Sequence, residues 1–290
     1  MDINKVEVQR GRVTTEGDDL YFDVRGQGQP LLLIAGGGGD GKWYTLVANI
    51  LSSEYKVITY DRRANGRSTM NYPDSFDIHQ QSRDAVAVIR AAGETSTIVF
   101  GNSSGAVVAL DMAITQPQAV KAAIVHEPPL TLMHPKTSKW KKFFAKVYLT
   151  SFRMGSSMAM LRFLIGAGII RTSIQSAKAV KVINNVVGEE DAAEKRINTS
   201  TGAEYFAKQE LLPVTNYYPD LEKLKENRVK IFMAAGKMSL DKKRFYAQTV
   251  PILTEKIGCE MVIFPGHHGS FMDMPEEWAA ILRQILHKVN

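Results

Sequence analysis

The most constraining stretch of the chain is Gly101-Asn102-Ser103-Ser104-Gly105. Ile98-Val99-Phe100 before it is apolar and rich in β-branched residues, and Ala106 to Leu110 after it reads as helix. G-x-S-x-G between a strand and a helix marks a very sharp turn. Its central residue is strained and the residues on either side must be small. The turn lifts the Ser103 hydroxyl clear of a sheet, and the helix start behind it offers free N–H groups to negative charge. A chain of 290 residues suits one α/β core carrying an insertion.

The flanking segments fit that frame. Residues 6–15 and 20–25 alternate polar and apolar side chains and read as two antiparallel strands joined near Gly17-Asp18. Leu31 to Ala35 is an unbroken apolar run, expected of a strand buried on both faces. It empties into four consecutive glycines, Gly36 to Gly39, where a backbone can approach a ligand closely. A phosphate-binding loop is excluded because Trp43 stands where Ser or Thr must follow Gly41-Lys42. A dinucleotide fingerprint is disfavoured because no suitable acidic residue ends the next strand. Residues 42–53 read as an amphipathic helix and 55–60 as a buried strand. That strand ends in the charged turn Asp61 to Ser68, where Asp61 is expected to pair with a nearby Arg and fix the loop. A helix over 78–92, a strand over 96–100 and a helix over 105–116 follow.

Residues 121–125 form another apolar strand, and Pro128-Pro129 stop it with Glu127 at its tip. From Leu130 to about Asn227 strand signals vanish. Helices are expected over 136–152, 156–170, 173–187, 191–198 and 202–212. Met154, Met158, Met160 and Phe163 either roof an apolar pocket or pack the insertion's own core. The α/β rhythm resumes with a strand over 229–235, a helix over 242–257, a strand over 260–264 and a final helix over 275–289. Pro275 suits the first turn of that last helix, where its missing N–H costs nothing.

Composition narrows the class. Charged residues are 23% and hydrophobic residues 44%, a globular balance. The single Cys259 cannot form an internal disulfide and the start of the chain has no apolar leader, so a cytoplasmic location is expected. The longest apolar stretch, from Met158 to Ile170, is broken by Arg162 and too short to span a bilayer. The net charge is +6, with lysines clustered at 136, 139, 141, 142 and 146. That cluster reads as a solvated helix face, and nucleic-acid binding is not expected. The six histidines show no metal-ligand spacing, so neither metal nor cofactor is expected.

Taken together, the glycine run, the Tyr60-Asp61-Arg62-Arg63…Gly66-Arg67-Ser68 turn, the Gly101–Gly105 turn and Pro265-Gly266-His267-His268 resemble an α/β-hydrolase over almost the whole chain. The resemblance implies a mostly parallel eight-stranded sheet with helices on both faces and the site at the strands' C-terminal edge. Residues 1–129 and 228–290 would form the core and 130–227 a helical cap. Ser103 matches the nucleophile and His268 the base, with His267 as the competing histidine. The backbone N–H groups of Ser104 and of Gly37, or alternatively Gly36, match the oxyanion hole; the family often has His-Gly where this chain has Ala35-Gly36. The usual acid position falls on Ser239, a departure from the pattern. Glu127 is the preferred substitute, as in some lactone hydrolases and haloalkane dehalogenases. Asp241 is the alternative, although it reads better as the N-cap of helix 242–257.

The function implied is a serine hydrolase cleaving a small apolar carboxylic ester or lactone through an acyl-enzyme. A lyase or acyl-transfer enzyme on the same fold, or a non-enzymatic ligand receptor, is the alternative. A homodimer stays open.

Overall fold

The structure, a computed structural model, describes residues 6–38, 40–192 and 199–289. Eight strands form one sheet: β1 (Val8–Thr15), β2 (Asp18–Arg25), β3 (Gln29–Ile34), β4 (Tyr55–Tyr60), β5 (Thr97–Asn102), β6 (Val120–His126), β7 (Lys230–Gly236) and β8 (Glu260–Phe264). Their order is β1-β2-β4-β3-β5-β6-β7-β8. The pairings of β1 with β2 and of β2 with β4 are antiparallel, and those from β4 to β8 are parallel. The expected mostly parallel eight-stranded α/β-hydrolase sheet is thus present.

Period-two alternation on buried strands feeds two apolar layers. Leu32, Ile34 and Val99 face one layer. Leu31, Leu33, Ile98 and Phe100 face the other. All seven are fully buried. In the second layer Trp278 stacks on Phe264 at 4.5 Å and meets the edge of Phe100 at 4.8 Å, tying the final helix to β5 and β8.

Helices cover both faces. On the N-terminal side are α1 (Thr45–Leu51), α2 (Ile78–Ala91) and α3 (Ser104–Thr115). Between β6 and β7 the described residues contain helices and no strand. These are α4 (Thr137–Arg153), α5 (Ser156–Gly166), α6 (Ile170–Gln175), α7 (Ala177–Ala192), α8 (Thr199–Tyr205), α9 (Leu211–Thr215) and α10 (Leu221–Asn227). After β7 come α11 (Lys237–Asp241), α12 (Phe245–Ile257), α13 (Ser270–Asp273) and α14 (Pro275–His287). The helix expected over 191–198 falls largely outside the described residues.

Four sequence expectations need correction, the first being the single helix over 173–187, which is split at Ser176 between Ile170–Gln175 and Ala177–Ala192. The helix expected over 156–170 stops at Gly166 and the chain restarts at Ile170. Gly168 adopts φ +73°, and a Cβ there would strike the Arg244 guanidinium at 1.9 Å. The helix expected from 202 to 212 passes through a π-helical turn over Phe206–Glu210. Asp241 does not cap the helix that follows: it ends α11, and Arg244 occupies the N-cap of α12.

The π turn ends at Glu210, which is fully buried and pairs with the equally buried Arg62 at 2.7 Å. Arg62 also donates to the carbonyls of Ala35 and Gly36, each at 2.9 Å, and to Gln81. A buried cation left without its carboxylate is strongly destabilising. Glu210→Ala is therefore expected to cost about 3–5 kcal/mol in urea unfolding, whereas an exposed control such as Glu222→Ala should change little.

Candidate active site

Five loops meet at the C-terminal edge of the parallel strands, where the strand order reverses between β3 and β5. Ser103 sits between β5 and α3 at φ 56°, ψ −119°, a strained conformation for a non-glycine residue. Its N–H donates to the His126 carbonyl at 2.9 Å, and its own carbonyl accepts from Ala106 at 3.0 Å. The flanking glycines are sterically required. A Cβ on Gly101 would lie 2.0 Å from the Gly105 carbonyl oxygen, and one on Gly105 would lie 2.3 Å from that of Ile34.

Glu127 is the second strained residue of the site, with φ 52°. Its N–H donates to the Ala234 carbonyl, and the turn aims its fully buried carboxylate across the end of β7. Oε1 accepts the Gly236 N–H at 2.9 Å, and Oε2 lies 2.5 Å from His268 Nδ1. Burial opposes ionisation of Glu127. His126, His268 and the Gly236 amide outweigh it and hold the pKa below the ordinary carboxylate value. An ionised carboxylate only accepts, so His268 donates to Glu127 from Nδ1. Tyr246 packs on the His268 ring at 4.3 Å between centroids.

His267 is placed differently. Its Nδ1 accepts from the Gly269 N–H at 3.1 Å and its Nε2 meets Asp273 at 3.0 Å, so both ring nitrogens are used within its own turn. Asp241 is exposed and pairs with Lys237 on the surface. The Asp61 expectation holds: its carboxylate binds the Arg67 side chain at 2.7 Å and the Gly41 N–H at 2.9 Å. No cluster of three or more metal-ligating side chains occurs among the described residues.

Ser103 and His268 both line a cavity of about 410 Å³, together with Gly36 and Gly37. Such a volume suits a small molecule. Its walls are mostly apolar, including Trp43, Phe163, Phe206 and Met272, with hydroxyls at Thr172, Ser173 and Ser176. Of the four residues expected as a roof, Met160 and Phe163 reach this cavity. Met154 and Met158 point instead to solvent. Gly36 and Gly37 lie tight against the Ser103 turn: a Cβ on Gly36 would be 3.1 Å from Ser103 Cβ, and one on Gly37 would be 2.9 Å from Ser104 Oγ. Arg62 holds the carbonyls of Ala35 and Gly36. In trans peptides the N–H points opposite the carbonyl, so the N–H groups of Gly36 and Gly37 face away from Arg62.

Two contributors escaped sequence reading. Asn102 Nδ2 donates to His126 Nδ1 at 2.8 Å and to the His268 carbonyl at 3.1 Å, linking the Ser103 turn to the histidine loop. Arg62 gave only a signal of local charge. Burial pushes the His126 pKa down from 6.5 to about 4. A base with a depressed folded-state pKa gives stability that is complete above its unfolded value. That stability is lost as pH falls towards the folded value. The loss attributable to His126 between pH 6.5 and 4 is about 3 kcal/mol. Denaturant melts across that range should therefore fall more steeply for the wild type than for His126→Asn.

Comparison with known proteins agrees with this architecture. Residues 29–154 match the family described as alpha/beta hydrolase fold. The uncharacterized hydrolase YraK of Bacillus subtilis (strain 168) is 31% identical over 287 residues, 97% of each chain. Est816, described as an N-acyl homoserine lactone degrading enzyme, superposes with a TM-score of 0.70 at 20% identity, over 94% of this chain and 99% of that one. A thermophilic esterase from Thermogutta terrifontis superposes with a TM-score of 0.67 at 20% identity, over 97% and 99%. The fold and its loops define an α/β hydrolase. The chain belongs to the α/β-hydrolase family and is an enzyme of the hydrolase class.

Proposed function

We propose that the protein is a serine hydrolase that cleaves a carboxylic ester or lactone through an acyl-enzyme. Ser103 is the nucleophile, His268 the base and Glu127 the acid. The observation that carries this reading is the 2.5 Å contact between Glu127 and His268 Nδ1. It leaves Nε2 free to take a proton in the cavity that Ser103 also lines. A serine hydroxyl is a weak nucleophile until a neighbouring base removes its proton during attack. The same imidazole then returns the proton to the leaving alcohol, and water repeats the sequence on the acyl-enzyme. The N–H groups of Ser104 and Gly37 hold the tetrahedral oxyanion, with Gly36 as the alternative donor to Gly37. Removing one such donor typically costs about 3–4 kcal/mol.

Residues 130–227 act as the cap. The apolar cavity walls favour an uncharged substrate with an apolar acyl or alcohol part, in keeping with the esterase and lactone-degrading proteins of similar fold. No helix among the described residues is long and apolar enough to cross a membrane.

A fluorophosphonate probe followed by peptide mass spectrometry tests the reading. Labelling at Ser103, with turnover of nitrophenyl esters or lactones, is expected. Absence of labelling in folded protein would overturn it. Turnover of thioesters without uptake of labelled water would favour acyl transfer.

A further inference from the structure

We propose that the α4–α5 hairpin docks the enzyme on an anionic lipid surface. Between Glu127 and Glu189 the chain holds seven lysines and three arginines and no acidic residue. That excess is larger than the net +6 of the whole protein, so the rest of the chain is net acidic. Among the described residues, none of these ten cations forms an ion pair with a carboxylate. The lysine cluster is therefore not a salt-bridged helix face.

The same hairpin leaves large apolar side chains in water. The two helices are antiparallel about the Met154-Gly155 turn: Arg162 donates to Thr150, and Gly166 lies against Phe143. On α5, Ala159, Met160, Phe163 and Leu164 face inward, and the last three line the cavity. Its opposite face carries Met158, Leu161 and Ile165, exposed at 42%, 42% and 58%. A helix apolar on both faces belongs in an environment that takes up the second face. At the hairpin end Phe152 and Met154 are exposed at 57% and 62%. Lys142, Lys146, Leu149 and Arg153 follow one stripe of α4 at spacings of three and four.

Cations interleaved with exposed Met, Leu, Ile and Phe form the pattern of an interfacial helix pair. The charges meet anionic headgroups while the apolar tips enter the acyl boundary, each lysine stem lying along it. A second copy of this chain would bring two acid-free faces together, and like charges would oppose it. Nucleic acid would leave the aliphatic tips unused.

Flotation with phosphatidylcholine vesicles, with and without phosphatidylglycerol, tests the proposal. Binding at least about tenfold tighter to the anionic vesicles, weakened by high salt, is expected. Lys142→Glu/Lys146→Glu/Arg153→Glu should lose at least about tenfold of that binding. Phe152→Ser/Met154→Ser/Met158→Ser should weaken it while keeping the charge. Thermal melts that match the wild type show that both variants are folded. Ser103→Ala should bind as the wild type, so this readout is independent of the hydrolase chemistry. Equal partition to both vesicle types, unchanged binding by both variants, or capture by an acidic protein or RNA without vesicle binding would overturn it.

Discussion

Ser103→Ala is expected to lower kcat on a carboxylic ester by about 10⁴–10⁶-fold, leaving KM within a few-fold. The residue stands at φ 56° at the tip of the turn, whereas the neighbouring hydroxyl, that of Ser104, belongs to the first residue of α3. Loss of the nucleophile removes the covalent route altogether. What remains is transition-state binding by the main-chain donors, which sustains some acceleration over water. Ala relieves no clash and adds none, so the variant should melt no lower than the wild type. Steady-state kinetics on nitrophenyl esters, with fluorophosphonate labelling as a second readout, measure the effect. A residual rate above about one per cent of wild type would transfer the nucleophile's role elsewhere.

Glu127→Gln is expected to cost on the order of 10⁴-fold in kcat, and Asp241→Asn less than about twofold. The carboxylate accepts from two donors, the Gly236 N–H and His268 Nδ1. A carboxamide has one accepting oxygen. If that oxygen stays on Gly236, the amide N–H₂ faces His268 Nδ1 and forces the imidazole into the other tautomer. The proton then occupies Nε2, where the base must be empty. If the amide turns over, its N–H₂ meets the Gly236 N–H and a buried donor is stranded. Asp241 is exposed and paired with Lys237, and it hydrogen-bonds to neither histidine. The ratio of the two variants' kcat values is the measurement, and a reversed ranking would move the acid to Asp241.

Local chemistry made part of the molecule legible. The turn around Ser103 could be read because strand, glycine spacing and helix lie within thirteen consecutive residues, and steric exclusion at Gly101 and Gly105 acts over the same short range. The inner strands were visible because burial on both faces demands continuous apolar runs, and the first two because their side chains alternate between polar and apolar. The helix ends were less so: Gly168 turns the chain against Arg244, a residue seventy-six positions away. Met154 and Met158 could not be told from Met160, because which face of a helix is covered depends on what packs against it.

By itself the sequence determined the strand–turn–helix that strains Ser103, the strands that build the sheet, and the charge imbalance of the region after Glu127. Tertiary structure alone decided that Glu127, and not Asp241, reaches His268, 141 residues along the chain. It alone decided that Arg62 finds its carboxylate at Glu210, 148 residues away. The reason is range. Backbone sterics and hydrophobic periodicity act between near neighbours, whereas a buried charge finds its partner only after the sheet has brought distant loops to one edge and excluded the water that would otherwise solvate both.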